Sequence, residues 1–365
     1  MKSLCALLLG LGIVISLRAD DNWYKTWTYR QMITIPAAKV TGSHAAFPVL
    51  VTEANVQPSL FANAQADGDD ILFTAADGKT KIPHEIERYD ADGDLLAAWV
   101  NVPAIASTAD TVLYVYYGKA SAANQQDAAN VWTNGFVGVW HLEEASGTRA
   151  DSTAAGNNAS PNGTIDSTGT GKIAGAASFA GTGHLDLQVS ETSLFMHTNS
   201  FTVSAWYKKG TLTGNHSIVS GESNGGLNAY RGFSLFATSS TLYGWFADGA
   251  LARKQLVKSG DAANAWNLGT LVWDKDNAKI RLFHNGVSVG SLDVTGHTGW
   301  GVLIDIGAAN GGQRFIGLID EARIVKSLRS ADWIATEHAN QSAPETFASA
   351  SDEERLPWAT QLVIR

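Results

Sequence analysis

The segment Lys81–Val102, KIPHEIERYDADGDLLAAWVNV, separates two kinds of fold. Its centre, Tyr89–Asp94, places Asp90, Asp92 and Asp94 on alternate positions, like the start of a helix–loop–helix calcium loop. Such a loop also requires Gly at its sixth position and a bidentate Glu at its twelfth. Here those positions hold Leu95 and Asn101. The flanks carry Ile, Tyr, Trp and Val without a helical stripe. Two strand-like runs separated by Asp, Ala and Gly predict a β-hairpin, in which Asp and Gly relieve the strain of the turn.

The same segment raises a catalytic reading. Glu85, Glu87 and Asp90 lie close in sequence, and residues i and i+2 of a strand share a face. Retaining glycosidases need two carboxyl groups roughly 5 Å apart across a sugar groove. No aromatic-rich groove is evident around these residues, so a solvated strand face is expected. The adjacent Glu143 and Glu144 would point to opposite faces of a strand, a poor acid/base pair.

Outward from this hairpin the chain reads as all-β. Short strand-like runs such as YRQMITIP, AFPVLVT, DILFTAADG and TVLYVYYG alternate with turns from residue 20 to 120, predicting a sandwich. Residues 121–135 are polar and Ala-rich and read as a linker. A second all-β segment covers 136–345. Within it FTVSAWY and KIRLFHNG alternate as facing sheets require, and Asn285-Gly286 is a strong hairpin signal. Ser330 is a candidate N-cap for a short C-terminal helix. Residues 346–365 form a polar tail ending in a brief apolar run.

Of 365 residues, 45% are apolar and 17% charged, with a formal net charge of −9. That balance argues against nucleic acid as a partner. The N-terminus MKSLCALLLGLGIVISLRA reads as a secretory signal peptide over residues 1–19. Its apolar run is short for a membrane span, and no later run exceeds strand length, so the mature chain is expected to have none. Cys5, the single cysteine, falls inside the signal, which predicts a mature product without disulfides.

Two resemblances follow from these phrases. WTYRQMITI, FPVLV, DGDDILFTAADGKTKIPHEIERYD, LAAWVNVPAI and DTVLYVYYG resemble the secreted domain of unknown function DUF2341. VGVWHLEE, DSTAAGNN, GAASFAGTGHLDL, FTVSAWYK, WNLGTLVWD, IRLFHNGVSVGS and GLIDEARIVKSLRSADWI resemble, in order, a laminin-G-like (concanavalin A-like) jelly roll. The resemblance implies two β-sandwich domains in tandem. In similar jelly rolls an Asp at the place of Asp320 ligates a structural calcium with carbonyls near a turn corresponding to Gly181. Calcium accepts six to eight oxygens. Some proteins with this tandem continue into a proton-channel module of the TolQ/ExbB/MotA type.

Asp151 opens a loop, DSTAAGNNASPNG, with Asn157 and Asn158 as further oxygen donors to calcium or a sugar hydroxyl. His141, His184, His216, His284 and His297 are scattered, without the spacing of a zinc motif. No Gly-x-Ser-x-Gly elbow or phosphate loop is present. Trp206, Tyr243, Trp245, Trp266 and Trp300 are candidates to stack on sugars. Trp206 is expected in the core; Trp245 and Trp300, beside glycines and turns, are expected to be exposed.

The expectation is a secreted, non-catalytic protein that binds carbohydrate or a cell surface, with polysaccharide as the partner. The ligand-binding candidates are Trp245, Trp300 and Asn158; the calcium candidates are Asp320, Gly181 and Asp151. The alternative is an accessory periplasmic domain supporting an envelope channel protein, and a glycoside hydrolase is the third reading.

Overall fold

The computed structural model describes residues 22–211, 213–225, 229–248, 250, 252–297, 299 and 303–356. The expected signal peptide and Trp300 lie outside the described residues.

The fold is all-β, with two sandwiches and a short C-terminal helix. The first sandwich packs a three-stranded sheet, in the order His44–Thr52, Leu95–Ile105, His84–Asp90, on a second sheet. That second sheet runs from Ser349–Ala350 through Tyr29–Ile35, Thr111–Tyr117 and Leu72–Ala75 to Lys81–Ile82. The quoted segment forms the expected hairpin between His84–Asp90 and Leu95–Ile105. The Asp90 carboxylate accepts the backbone N–H groups of Asp92 and Gly93 at 3.1 and 3.0 Å, the side-chain turn that Asp favours.

The second sandwich is a jelly roll of two larger antiparallel sheets. In one, Ile316–Val325 and Phe201–Lys209 are central neighbours. The other contains Thr241–Ala247, Phe233–Ala237, His216–Ser220, Leu303–Ile306, His184–Ser190 and Ser160–Asn162. Phe201, Val203, Ala205 and Tyr207 point into the core between them. Asn285 and Gly286 both take positive φ, 51° and 76°, as the tightest hairpin turns require.

Phe201–Lys209 is buried on both faces apart from Lys208. Its outer face is covered by the helix Ala331–Ser342, capped at Ser330, whose Oγ accepts the Trp333 N–H at 3.1 Å. Trp206, 2% exposed, donates its indole N–H to Gln341 at 2.6 Å and stacks on His338.

The segments read as linker and tail are integrated into this architecture. Residues 121–135 contain the short helix Ala128–Val131, and Val131 and Trp132 enter a core that also holds Trp99, Phe136, Val325, Trp333 and Phe347. Residues from both sandwiches and from the C-terminal helix thus share one core, because the apolar face of the three-stranded sheet would otherwise meet water. Ser349–Ala350 and Glu354–Arg355 both pair with Tyr29–Ile35, so segments that follow the C-terminal helix close the first sandwich.

Candidate functional site

Among the described residues, polar side chains gather in an open groove on the jelly roll and in a buried cluster where the sandwiches meet.

The groove lies at one edge of the second jelly-roll sheet, where Ser160–Asn162, His184–Ser190 and Leu303–Ile306 are neighbours. Alternation sends Leu185, Leu187, Ile304 and Ile306 into the core. The intervening His184, Asp186, Leu303 and Asp305 therefore face outward. With Asn162, Asn310, Gly311 and Arg314 they line a groove of about 460 Å³. Asp186 and Asp305 are direct strand partners, a like-charge pairing that is unfavourable by itself. Burial raises the Asp305 pKa, against the Gly311 N–H that its carboxylate accepts at 3.0 Å. His184 is 4% exposed, and its Nδ1 is buried without a hydrogen-bond partner among the described residues. Arg314 is held by bonds from its guanidinium to the carbonyls of Gly311 and Thr182.

The buried cluster centres on His141, which follows the strand Phe136–Trp140. Its Nδ1 lies 2.6 Å from Glu321 Oε1 and 3.4 Å from Glu87 Oε2; its Nε2 lies 3.3 Å from Glu85 Oε2. Glu85 and Glu87 belong to the first sandwich, Glu321 to the second. Both Glu87 and Glu321 sit at irregularities in their ladders. The register of His84–Asp90 slips between Ile86 and Arg88, and that of Phe201–Lys209 with Ile316–Val325 slips around Glu321. Glu321 takes φ 51°. A β-bulge adds one residue and re-aims its side chain, and positive φ in a bulky residue is strain that the surroundings must hold.

Each carboxylate has a second partner. The Trp99 indole donates to Glu87 at 2.8 Å, and Trp132 and Ser152 donate to Glu85 at 2.5 and 2.7 Å. Arg323 donates to Glu321 at 2.6 Å and to Glu337 at 2.8 Å, its guanidinium resting over the rings of Trp99 and Trp132. Burial would depress the His141 imidazolium, but Glu321, Glu87 and Glu85 outweigh it and hold its pKa well above the ordinary value. Burial would raise Glu321; His141 and Arg323 reverse that and bring it to about 2. In Glu87 burial prevails and its pKa stands well above the carboxylate range. A cavity of about 130 Å³ reaches Glu85, Glu87, His141, Glu143 and Glu144. Burial lifts Glu143 to about 7.

In the sequence Glu85 with Glu87 and Glu143 with Glu144 stand as two separate pairs, and a solvated strand face is expected at Glu85 and Glu87. Glu87 is instead buried, because the second sandwich covers that strand. Glu321 and Arg323 carried no signal: His141 and Glu321 stand 180 residues apart, and bulges leave no pattern in a single sequence.

The calcium candidates are not brought to one point. Asp320 is fully buried, with one carboxylate oxygen accepting the N–H groups of Lys172 and Ile173 at 2.7 and 2.9 Å. Gly181 follows Ala180, which pairs with Ile316. Asp320 lies four residues further along that strand, roughly 13 Å away at the usual rise. Asp151 spends its oxygens on Val139, Thr153 and Asn157, and Asn158 Oδ1 accepts the Asp151 N–H at 2.9 Å. Trp245, expected at the surface, is 3% exposed. It packs with Phe236, Tyr243 and Ala247 beneath the Arg253 guanidinium, so a neighbouring glycine did not open it to solvent.

Residues 67–157 match the family model of the domain of unknown function DUF2341, and residues 179–335 match that of the Concanavalin A-like lectin/glucanases superfamily. The two matched segments follow one another along the chain in that order. Among solved structures, the binding domain of Paraclostridial Mosquitocidal Protein 1 aligns at 15% identity and TM-score 0.43, covering 56% of this chain and 52% of that one. This chain thus spans about half the length of that binding domain. Domain 4 of AbnA, an extracellular arabinanase from Geobacillus stearothermophilus, in complex with arabinotriose, aligns at 20% identity and TM-score 0.42, covering 56% and 98%. The Ruminococcus gnavus IT-sialidase CBM40 bound to α2,3-sialyllactose aligns at 20% identity and TM-score 0.33, covering 38% and 83%. No curated protein matches the chain.

Proposed function

We propose that this chain is an exported, non-catalytic glycan-binding protein whose site is the groove around His184, Asp186 and Asp305. The observation that carries the reading is the pair of facing aspartates, Asp186 and Asp305, set with His184, Asn162, Asn310 and Arg314 in one open polar groove. Sugar hydroxyls supply both donors and acceptors to such a lining. Asp186 and Asp305 accept from hydroxyls, Asn162 and Asn310 can do either, and the exposed Leu303 offers an apolar contact for a ring face. The two carboxylates outnumber the one guanidinium, Arg314, which already donates to the carbonyls of Gly311 and Thr182; they disfavour sulfated or carboxylated sugars, and the ligand proposed is a neutral polysaccharide or oligosaccharide. The volume is within the range of about 300–1,000 Å³ typical of ligand pockets. The family match over residues 179–335 is to a superfamily of lectins and glucanases, and the signal-like N-terminus supports export.

The hydrolase reading is less well supported. The cavity that joins Glu85, Glu87, Glu143 and Glu144 measures about 130 Å³, below the roughly 300 Å³ of small ligand pockets. The test is a panel of neutral and acidic glycans offered to the full chain, with product analysis for cleavage. Retention of a neutral glycan without turnover is expected. Cleavage of any glycan, or retention of acidic glycans alone, would overturn the reading.

A further inference from the structure

We propose that Glu87, His141 and Glu321 hold one divalent transition-metal ion of the zinc class, which fastens the two sandwiches together.

The ligand atoms of these three residues lie within 4.8 Å of one another. Zinc bonds to nitrogen and carboxylate oxygen are about 2.0–2.2 Å long, which places ligand atoms roughly 3–3.5 Å apart. The separations of 2.6 and 3.4 Å around His141 Nδ1 reach that geometry with small shifts.

An independent observation points to a missing partner. Glu87 is fully buried at its side chain, lines the small cavity, and leaves Oε1 with no hydrogen-bond partner among the described residues. Glu85, Glu87 and Glu321 crowd around the one imidazole of His141, and a divalent cation would offset the repulsion among carboxylates gathered at one point.

The surrounding contacts are those a metal site needs. Metal-bound histidines usually give their other ring nitrogen to a carboxylate, and ligating carboxylates are themselves hydrogen-bonded. Here Glu85 faces His141 Nε2, Trp99 holds Glu87, and Arg323 holds Glu321. The cavity of about 130 Å³ has room for a water as a fourth ligand, since one water occupies about 30 Å³. An imidazole with two carboxylates suits zinc, manganese or iron; calcium prefers an all-oxygen shell. Because Glu87 comes from the first sandwich and Glu321 from the second, the ion would bridge them.

The test uses the full chain purified from cells grown with added zinc. Elemental analysis after dialysis should find a single zinc-class ion per chain. Chelator should lower the melting midpoint, and zinc, but not calcium, should restore it. Glu87→Gln keeps the Trp99 hydrogen bond and should weaken zinc binding at least about tenfold, whereas Glu144→Gln, at the cavity rim, should bind as the parent does. Should Glu87→Gln not fold, cobalt(II) added to the chelator-treated parent decides. A visible ligand-field band displaced by zinc supports the site. No band, with no bound metal and a midpoint indifferent to zinc and chelator, would overturn it and leave a protonated His141 as the clamp.

Discussion

Asn340 on the C-terminal helix closes both backbone hydrogen bonds of Leu50: its Oδ1 accepts the Leu50 N–H at 2.7 Å and its Nδ2 donates to the Leu50 carbonyl at 3.0 Å. Thr336, one turn earlier, does the same for Thr41 through its hydroxyl, at 2.9 and 3.0 Å. The strand His44–Thr52 is the edge of its sheet, and an uncovered edge is a template for association with other chains. One helix face thus stands in for a neighbouring strand.

Asn340→Ala should therefore cost about 2–4 kcal/mol, since it leaves two buried backbone groups unpaired. The denaturant midpoint measures the loss. A change below about 0.5 kcal/mol would show that water replaces the amide at no cost.

Lys209 and Asp261 form a wholly buried pair at 2.6 Å, with His284 Nε2 3.2 Å from the other carboxylate oxygen. Lys209→Met should destabilise the jelly roll by about 3–5 kcal/mol, because it strands a buried charge. The double variant Lys209→Met, Asp261→Asn should cost less than the sum of the two single changes. Burial would raise the Asp261 pKa, but His284 and Lys209 depress it. Its stabilisation is thus present above the unfolded pKa and lost as pH falls through the folded one. Chemical denaturation in acid should show that loss in the parent and not in the double variant.

Glu222 behaves in the opposite sense. Burial lifts its pKa from 4.5 to about 7, against its bond with the Trp245 indole and the charge of Arg253. Between those values the folded state binds more protons than the unfolded, so stability falls as pH rises. Glu222→Gln should remove that slope and stabilise the protein above pH 7 by on the order of 3 kcal/mol. Denaturant midpoints at pH 5 and pH 8 check the sign; a parallel decline in the variant would contradict it.

The fold was largely legible because its signals are local. The Asp90 turn, the Asn285-Gly286 hairpin and the Ser330 cap each depend on residues within a few positions, and the structure has all three. The phrases carrying the two family resemblances are strand patterns of the same kind. What sequence could not show is where non-local packing decides. Trp245 sits next to Gly244, yet it is buried by Phe236 and Arg253 from other strands. Residues 121–135 look like a linker by composition, but Trp132 is needed to fill the shared core. Glu87, His141 and Glu321 meet only because two bulges and two sandwiches bring them together.

The proposed binding of neutral glycan in the His184 groove rests on the outward-facing side chains of two strands. Titration calorimetry of the full chain against a glycan retained in the panel tests it most directly, with His184→Ala and Asp305→Asn alongside. Both variants should lose binding at least tenfold, about 1.4 kcal/mol, while their melting midpoints stay within a few degrees of the parent. Undiminished affinity in both folded variants would contradict it and move the site elsewhere on the molecule.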